Sequence, residues 1–187
     1  MPKDATAPGS LELVRNFVNS VDLERPETTD AFTDPVSAQL WLDGAGLEPD
    51  RIEPAALAAL RTLRETLRSA LLAHNGDGDG PKTWEALVQQ FGVVRLEVNF
   101  GASGGAALAP AEPSGEGGLR GALAAAVYDA VREGTWPRLK ACRKHSCLYA
   151  FYDKTKNGCG AWCSMDTCGN QAKAARRRAR ERASAGS

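Results

Sequence analysis

Leu11, Val14, Val18 and Val21 recur three or four residues apart, with Phe17 beside them, and predict an amphipathic helix that the polar residues 24–30 bring to an end. Pro35 is suited to open a second helix carrying Val36, Leu40 and Trp41, with Gly44 and Gly46 as its stop. The longest apolar stripe, Leu57, Leu60, Leu63, Leu67 and Leu71, predicts a third helix from about Pro54 to His74. Arg61 and Glu65 are spaced as an i,i+4 ion pair on its other side. A Gly/Asp turn follows, and residues 82–91, around Trp84, Leu87 and Val88, read as a fourth helix.

The period then changes to two. Val94, Leu96, Val98 and Phe100 alternate with Arg95, Glu97 and Asn99, the pattern of a half-buried strand. Residues 101–118 hold six glycines among alanines and prolines; a short return strand is expected at Ala106–Leu108 and a mobile loop elsewhere. A last core helix carries Leu119, Leu123, Val127 and Val131 and stops at Gly134 and Pro137. The expected fold is α+β: a mainly helical N-terminal domain with a small β-hairpin over residues 10–134, then a separate small module over residues 138–182.

That module is defined by cysteines. Cys142, Cys147, Cys163 and Cys168 are spaced C-x4-C-x15-C-x4-C. Each short-spaced pair can form a knuckle that offers two thiolates to one ion, and four thiolates in a tetrahedron are what structural zinc prefers. Leu148, Tyr149, Phe151 and Trp162 are too few to hold the segment without a metal, whose binding contributes on the order of 10–16 kcal/mol in such small domains. One structural Zn²⁺ per chain is therefore expected. Removing any one ligand is expected to unfold this module and leave the helical domain folded. Cys159 has no partner at knuckle spacing and reads as a surplus thiol. His145, inside the first knuckle, is an alternative ligand.

Charge divides the chain. Residues 1–137 hold 11 basic and 20 acidic side chains, a balance of −9; residues 138–187 hold 12 basic and 3 acidic, a balance of +9. A basic excess beside a metal module points to a polyanion partner. Beyond Cys168 a helix is expected to start with Asn170 as N-cap. At 100° per residue, Lys173, Arg176, Arg177 and Arg180 share one stripe, with Arg182 opposite. No large apolar residue gives this helix a face to pack, so it should project. No stretch approaches the roughly 18 apolar residues of a membrane span, and residues 1–10 lack an apolar signal core. A cytosolic protein is expected. There is no Gly-rich phosphate loop, no Gly-x-Ser-x-Gly turn and no His-Glu-x-x-His pair, and His74 and His145 are the only histidines, so an enzyme is not expected.

Residues 138–182 resemble the CGNR zinc finger in both cysteine pairs, in Phe151-Tyr152-Asp153, in Trp162-Cys163-Ser164-Met165 and in Cys168-Gly169-Asn170. Two departures stand out: Gln171 replaces the arginine of the motif's name, and residues 157–161 lack the arginines usual before the tryptophan. Upstream, Phe17-Val18-Asn19-Ser20 and the helix–strand order resemble the ABATE domain, which accompanies this finger in bacterial transcription regulators linked to stress. The resemblance implies DNA binding in transcriptional control, with the finger as reader and the N-terminal domain as sensor of an undefined effector or as the dimerisation part. The other reading is an interaction module whose basic finger docks an acidic protein, or the acidic domain of a second copy. RNA is disfavoured by the lack of an aromatic stacking face.

Overall fold

The N-terminal half is organised by one long helix. In a computed structural model, which describes residues 6–25, 30–47, 52–102 and 104–185 with the side chains of 183 and 185 outside that set, α3 (Pro54–Ala73) runs through the centre of the molecule. It follows α1 (Leu11–Val18) and α2 (Pro35–Gly44) and precedes α4 (Gly80–Phe91). Its predicted leucine stripe is buried at every position. Across it lie Val14, Phe17 and Val18 of α1, Leu87 of α4, and Leu119 and Leu123 of α5 (Gly115–Arg132). Phe17, Phe32 and Trp41 form an aromatic cluster with ring centroids 5.3–5.8 Å apart. Residues 26–29, within the polar stretch expected to end the first helix, lie outside the described residues. Among the described residues no helix is long and apolar enough to cross a membrane.

Several expectations are corrected. α2 buries a different set from the one its spacing suggested: Ala38 and Leu42 enter the core and Trp41 packs against it, while Val36 and Leu40 are exposed. Asp34 caps the helix, its carboxylate accepting from the Val36 and Ser37 N–H groups. Arg61 does not pair with Glu65. It donates to the Phe32 carbonyl, and Glu65 instead receives Arg64 and Arg68, which lie on the buried side of α3. Long guanidinium stems can lie along an apolar face and still carry charge to its edge, which residue spacing alone does not reveal.

The hairpin joins β1 (Leu96–Phe100) to β2 (Ala106–Pro110) in antiparallel register. β1 is exposed along most of its length, not half-buried, because β2 rather than β1 packs on α5. The Gly/Ala/Pro segment is also more ordered than a mobile loop: its last four residues already belong to α5. Gly118 and Gly121 are required there. A Cβ on Gly118 would lie 2.5 Å from the Pro113 carbonyl oxygen, and one on Gly121 2.7 Å from Pro110 Cβ. Val131, at the end of α5, is half-exposed.

A 3₁₀ turn (Trp136–Arg138) leads into β3 (Leu139–Ala141), which pairs antiparallel with β4 (Ala150–Tyr152). This second hairpin does not stand apart. Leu139, Ala141 and Ala150 are fully buried in the same core cluster as the helices. β3 packs along α3 and β4 along α1. The metal module therefore grows out of the helical core, and the expectation of a finger that unfolds alone loses its physical basis.

Candidate metal centre and basic helix

Each cysteine pair is held by local backbone geometry. Cys142 follows β3, and its N–H donates to the Tyr149 carbonyl at 2.9 Å, closing the loop between them. Within that loop the Lys144 carbonyl accepts from both Cys147 and Leu148 N–H groups. Leu148 takes a left-handed conformation (φ 48°), which turns the chain back toward β4. The second knuckle is closed by Ser164, whose hydroxyl caps a π turn (Met165–Gly169) through the Thr167 N–H and whose carbonyl accepts from Gly169. Gly169 lies against the Met165 side chain: a Cβ there would sit 2.7 Å from the sulfur, and the methionine would have to move aside.

The two knuckles face each other. The Sγ atoms of Cys142, Cys147, Cys163 and Cys168 all lie within 4.8 Å of one another. Cys147 and Cys163 are 3.6 Å apart, and Cys163 and Cys168 3.7 Å. A tetrahedron with Zn–S bonds of about 2.3 Å has edges of about 3.8 Å, which these two separations match. Its electrostatics agree. Hydrogen bonds from the Cys147 and Cys163 thiols draw the Cys142 thiol far below its ordinary range, while the Cys142 side chain pushes Cys163 up. Four sulfurs this close cannot all ionise without a cation among them. His145 is exposed and lies outside the cluster, as does the exposed Cys159.

Side chains that sequence reasoning passed over carry the scaffold. Lys140 is buried, and its ammonium donates to Asp153 Oδ2 at 2.9 Å and to the carbonyls of Gly158 and Gly160. Asp153 also accepts from the Thr155 and Gly160 N–H groups and the Thr155 hydroxyl. Burial opposes its ionisation, yet Lys140 and these donors hold the carboxyl at about 2. Gly160 is needed for this approach, since a Cβ there would meet Asp153 Oδ1 at 2.8 Å. The loop before the second knuckle is thereby fixed.

A second group of side chains joins the knuckles to the helices. Asn19 mimics a neighbouring strand: its amide donates to the Ala150 carbonyl at 2.9 Å and its oxygen accepts the Ala150 N–H at 2.7 Å. Arg68 donates to the carbonyls of Leu148 and Val18. Asn75 donates to Ala141 and Ala161, and His74 Nδ1 lies 2.8 Å from the Leu139 carbonyl. Burial pushes His74 down, which favours the neutral ring donating from Nδ1. Arg143 makes a two-point pair with Asp77, and Lys144 reaches Glu24. The signal for Asn19 and Asp153 was present in the Phe17-Val18-Asn19-Ser20 and Phe151-Tyr152-Asp153 motifs, but nothing in the first motif hints that Asn19 has a partner more than a hundred residues away.

Beyond Cys168 the chain continues directly from the π turn into α6 (Asn170–Ala185). Asn170 is not the N-cap. Its backbone is already helical, and its amide donates back to the Asp166 carbonyl. Ser164 does the capping six residues earlier, because the π turn supplies the helix start. Lys173, Arg176, Arg177 and Arg180 lie along one face of α6 together with Glu181, which pairs with Arg177 at 2.7 Å. Residues 175–182 are exposed throughout. Gln171 sits elsewhere, in a groove bordered by Asp22, Glu24, Lys144 and Tyr149.

Two family models match the chain: the CGNR zinc finger over residues 138–181, and ABATE, described as "Putative stress-induced transcription regulator", over residues 11–139. The chain belongs to the ABATE family. Its C-terminal part is a CGNR zinc finger, with four clustered cysteines able to bind one metal ion, consistent with structural zinc. When bound, the ion would cross-link the two knuckles through Cys142, Cys147, Cys163 and Cys168. Neither family is one of enzymes. A comparison with curated proteins finds no match. In this ABATE protein the two family segments meet at β3, the strand that the helical core and the finger share.

Proposed function

We propose that this ABATE protein is a zinc-dependent, DNA-binding regulator of transcription that acts in the cytoplasm and catalyses no reaction. The observation that carries the proposal is the solvent-exposed basic face of α6, held beside the four-cysteine cage by the capped π turn. A cationic stripe along a helix neutralises phosphates along a duplex and releases their counterions. Lys173, Arg176, Arg177 and Arg180 are the proposed phosphate contacts. Arg177 is already paired with Glu181, so most of the weight falls on the other three. This residue set supports positioning on the backbone rather than reading of base edges. The helical domain takes the part of sensor or of pairing element.

One observation favours the alternative, a basic module that docks an acidic protein. Within the chain itself, Arg143 and Lys144 of the finger already pair with Asp77 and Glu24 of the acidic domain. The helix α6, however, is not folded back onto that domain. Salt dependence separates the two readings. Each phosphate contact contributes roughly 0.9 to the slope of log K against log salt, so changing Arg176 and Arg180 together to Ala should lower the slope by about two on any duplex. Arg182→Ala, on the opposite side, should change it much less. Equal losses from every arginine would indicate an unstructured cationic tail. No duplex binding at low salt by the zinc-loaded protein would favour the protein-docking reading.

A further inference from the structure

The β1–β2 hairpin is a two-stranded sheet, and among the described residues no further strand pairs with its β1 edge. Leu96 pairs with Pro110, Val98 with Leu108 and Phe100 with Ala106. At either end the Gly101 N–H donates to the Gly105 carbonyl and the Ala111 N–H to the Arg95 carbonyl, both at 3.1 Å. Antiparallel ladders alternate, so the odd-numbered residues of β1 bond to β2. The N–H and C=O groups of Leu96, Val98 and Phe100 then point to the opposite edge, where no hydrogen bond to them is present among the described residues.

Edge strands are ordinarily blunted by short length, a charged side chain, a proline, a bulge or a covering element; β1 spans five residues and carries one charge, Glu97. β1 has no proline, and its register runs unbroken from Leu96 to Phe100. Two apolar side chains stand uncovered beside the edge: Val98 is 53% and Phe100 82% exposed. We infer that two copies of this chain pair through the free edge of β1, antiparallel about a twofold axis at Val98, to form a continuous four-stranded sheet.

The strand's own sequence selects the second copy as occupant. With Val98 opposite Val98, each Leu96 faces the other copy's Phe100, and three opposed pairs form six main-chain hydrogen bonds. The apolar face then runs unbroken across the junction and covers Phe100. On the other face Glu97 lies opposite Asn99, whose amide can donate to the carboxylate. Moving the axis to Glu97 would set two carboxylates directly against each other, which is unfavourable. Pairing of this kind is isologous and closes at two copies. It stands independently of the DNA-binding proposal, since it uses no residue of the finger.

The test is the mass of the zinc-loaded full chain by sedimentation over a concentration series. The expected result is a monomer–dimer equilibrium. Val98→Pro removes an N–H that points outward and spares the bonds to β2, so it should abolish the dimer while far-UV circular dichroism and zinc content stay unchanged. Phe100→Ser should abolish it too, and serves if the proline variant does not fold. In a Cys159→Ser background, Val98→Cys should cross-link two chains under mild oxidation and Leu96→Cys should not. A wild-type protein that stays monomeric throughout overturns the inference. So does a dimer that persists in both edge variants, or cross-linking by Leu96→Cys in place of Val98→Cys.

Discussion

Asn19→Ala should destabilise the whole protein, finger and helices together. Asn19 serves both the N–H and the C=O of Ala150, a residue with no solvent exposure. Truncation leaves two buried main-chain groups unpaired, at about 1–3 kcal/mol each, or roughly 2–6 kcal/mol in all. For a chain of this length each kcal/mol moves the melting temperature by about 2–4 °C, so a fall of roughly 4–24 °C is expected. Asn19→Asp is a sharp control. Its carboxylate still accepts the Ala150 N–H but cannot donate to the carbonyl, so the near-isosteric change should be no milder than alanine. The assay follows helix content by circular dichroism and metal release by a chelating dye through one thermal ramp. In the wild type both should move at the same temperature, since Leu139, Ala141 and Ala150 share one core with α1 and α3. In Asn19→Ala both should move down together. Early metal release with the helices melting at the wild-type temperature would refute the shared-core argument, as would a cost below about 0.5 kcal/mol, within the range of ordinary surface substitutions.

Asp153→Asn leaves the Lys140 ammonium buried without its counter-charge and should cost about 3–5 kcal/mol by urea unfolding at neutral pH. The Asp153 carboxyl is depressed from its ordinary 3.8 to about 2, so its contribution is complete above about pH 4 and is lost as pH falls toward 2. The stability gap between wild type and Asp153→Asn should narrow over that window, and a constant gap would count against the assignment. Cys159→Ser should retain one zinc per chain by elemental analysis, whereas Cys163→Ser should not; in the zinc-loaded form alkylating reagents should label Cys159 ahead of the four clustered cysteines. Gln171→Arg should leave the salt slope of DNA binding unchanged and raise stability by up to about 1 kcal/mol, because position 171 borders the groove that holds Asp22 and Glu24 rather than the basic face of α6. A slope steeper by about one would place residue 171 on phosphate instead.

Local chemistry was legible in the sequence. The leucine stripe of α3 was read correctly because a 3.6-residue period needs nothing beyond the chain to express it. The four cysteines announced a metal cage because knuckle spacing is itself a local geometry, and their neighbours carried the resemblance to the CGNR finger. The alternation in residues 94–100 specified a strand, but not that most of it would stay exposed, since burial depends on which strand reaches α5. Likewise Val36 and Leu40 are exposed although the sequence placed them on the same helix as Trp41, because Ala38 and Leu42 are the residues that reach the core. Asn19, Arg68 and Asn75 are polar residues on or beside helices, and nothing in their spacing distinguishes them from solvent-facing ones. Only the tertiary fold brings them to the carbonyls of residues 141–161, where a buried backbone must find partners that its own short hairpin cannot supply. The sequence alone determined which elements form and which atoms can bind a metal. Tertiary packing decided that the cage shares the helical core, because a module this small obtains its buried surface from its neighbours.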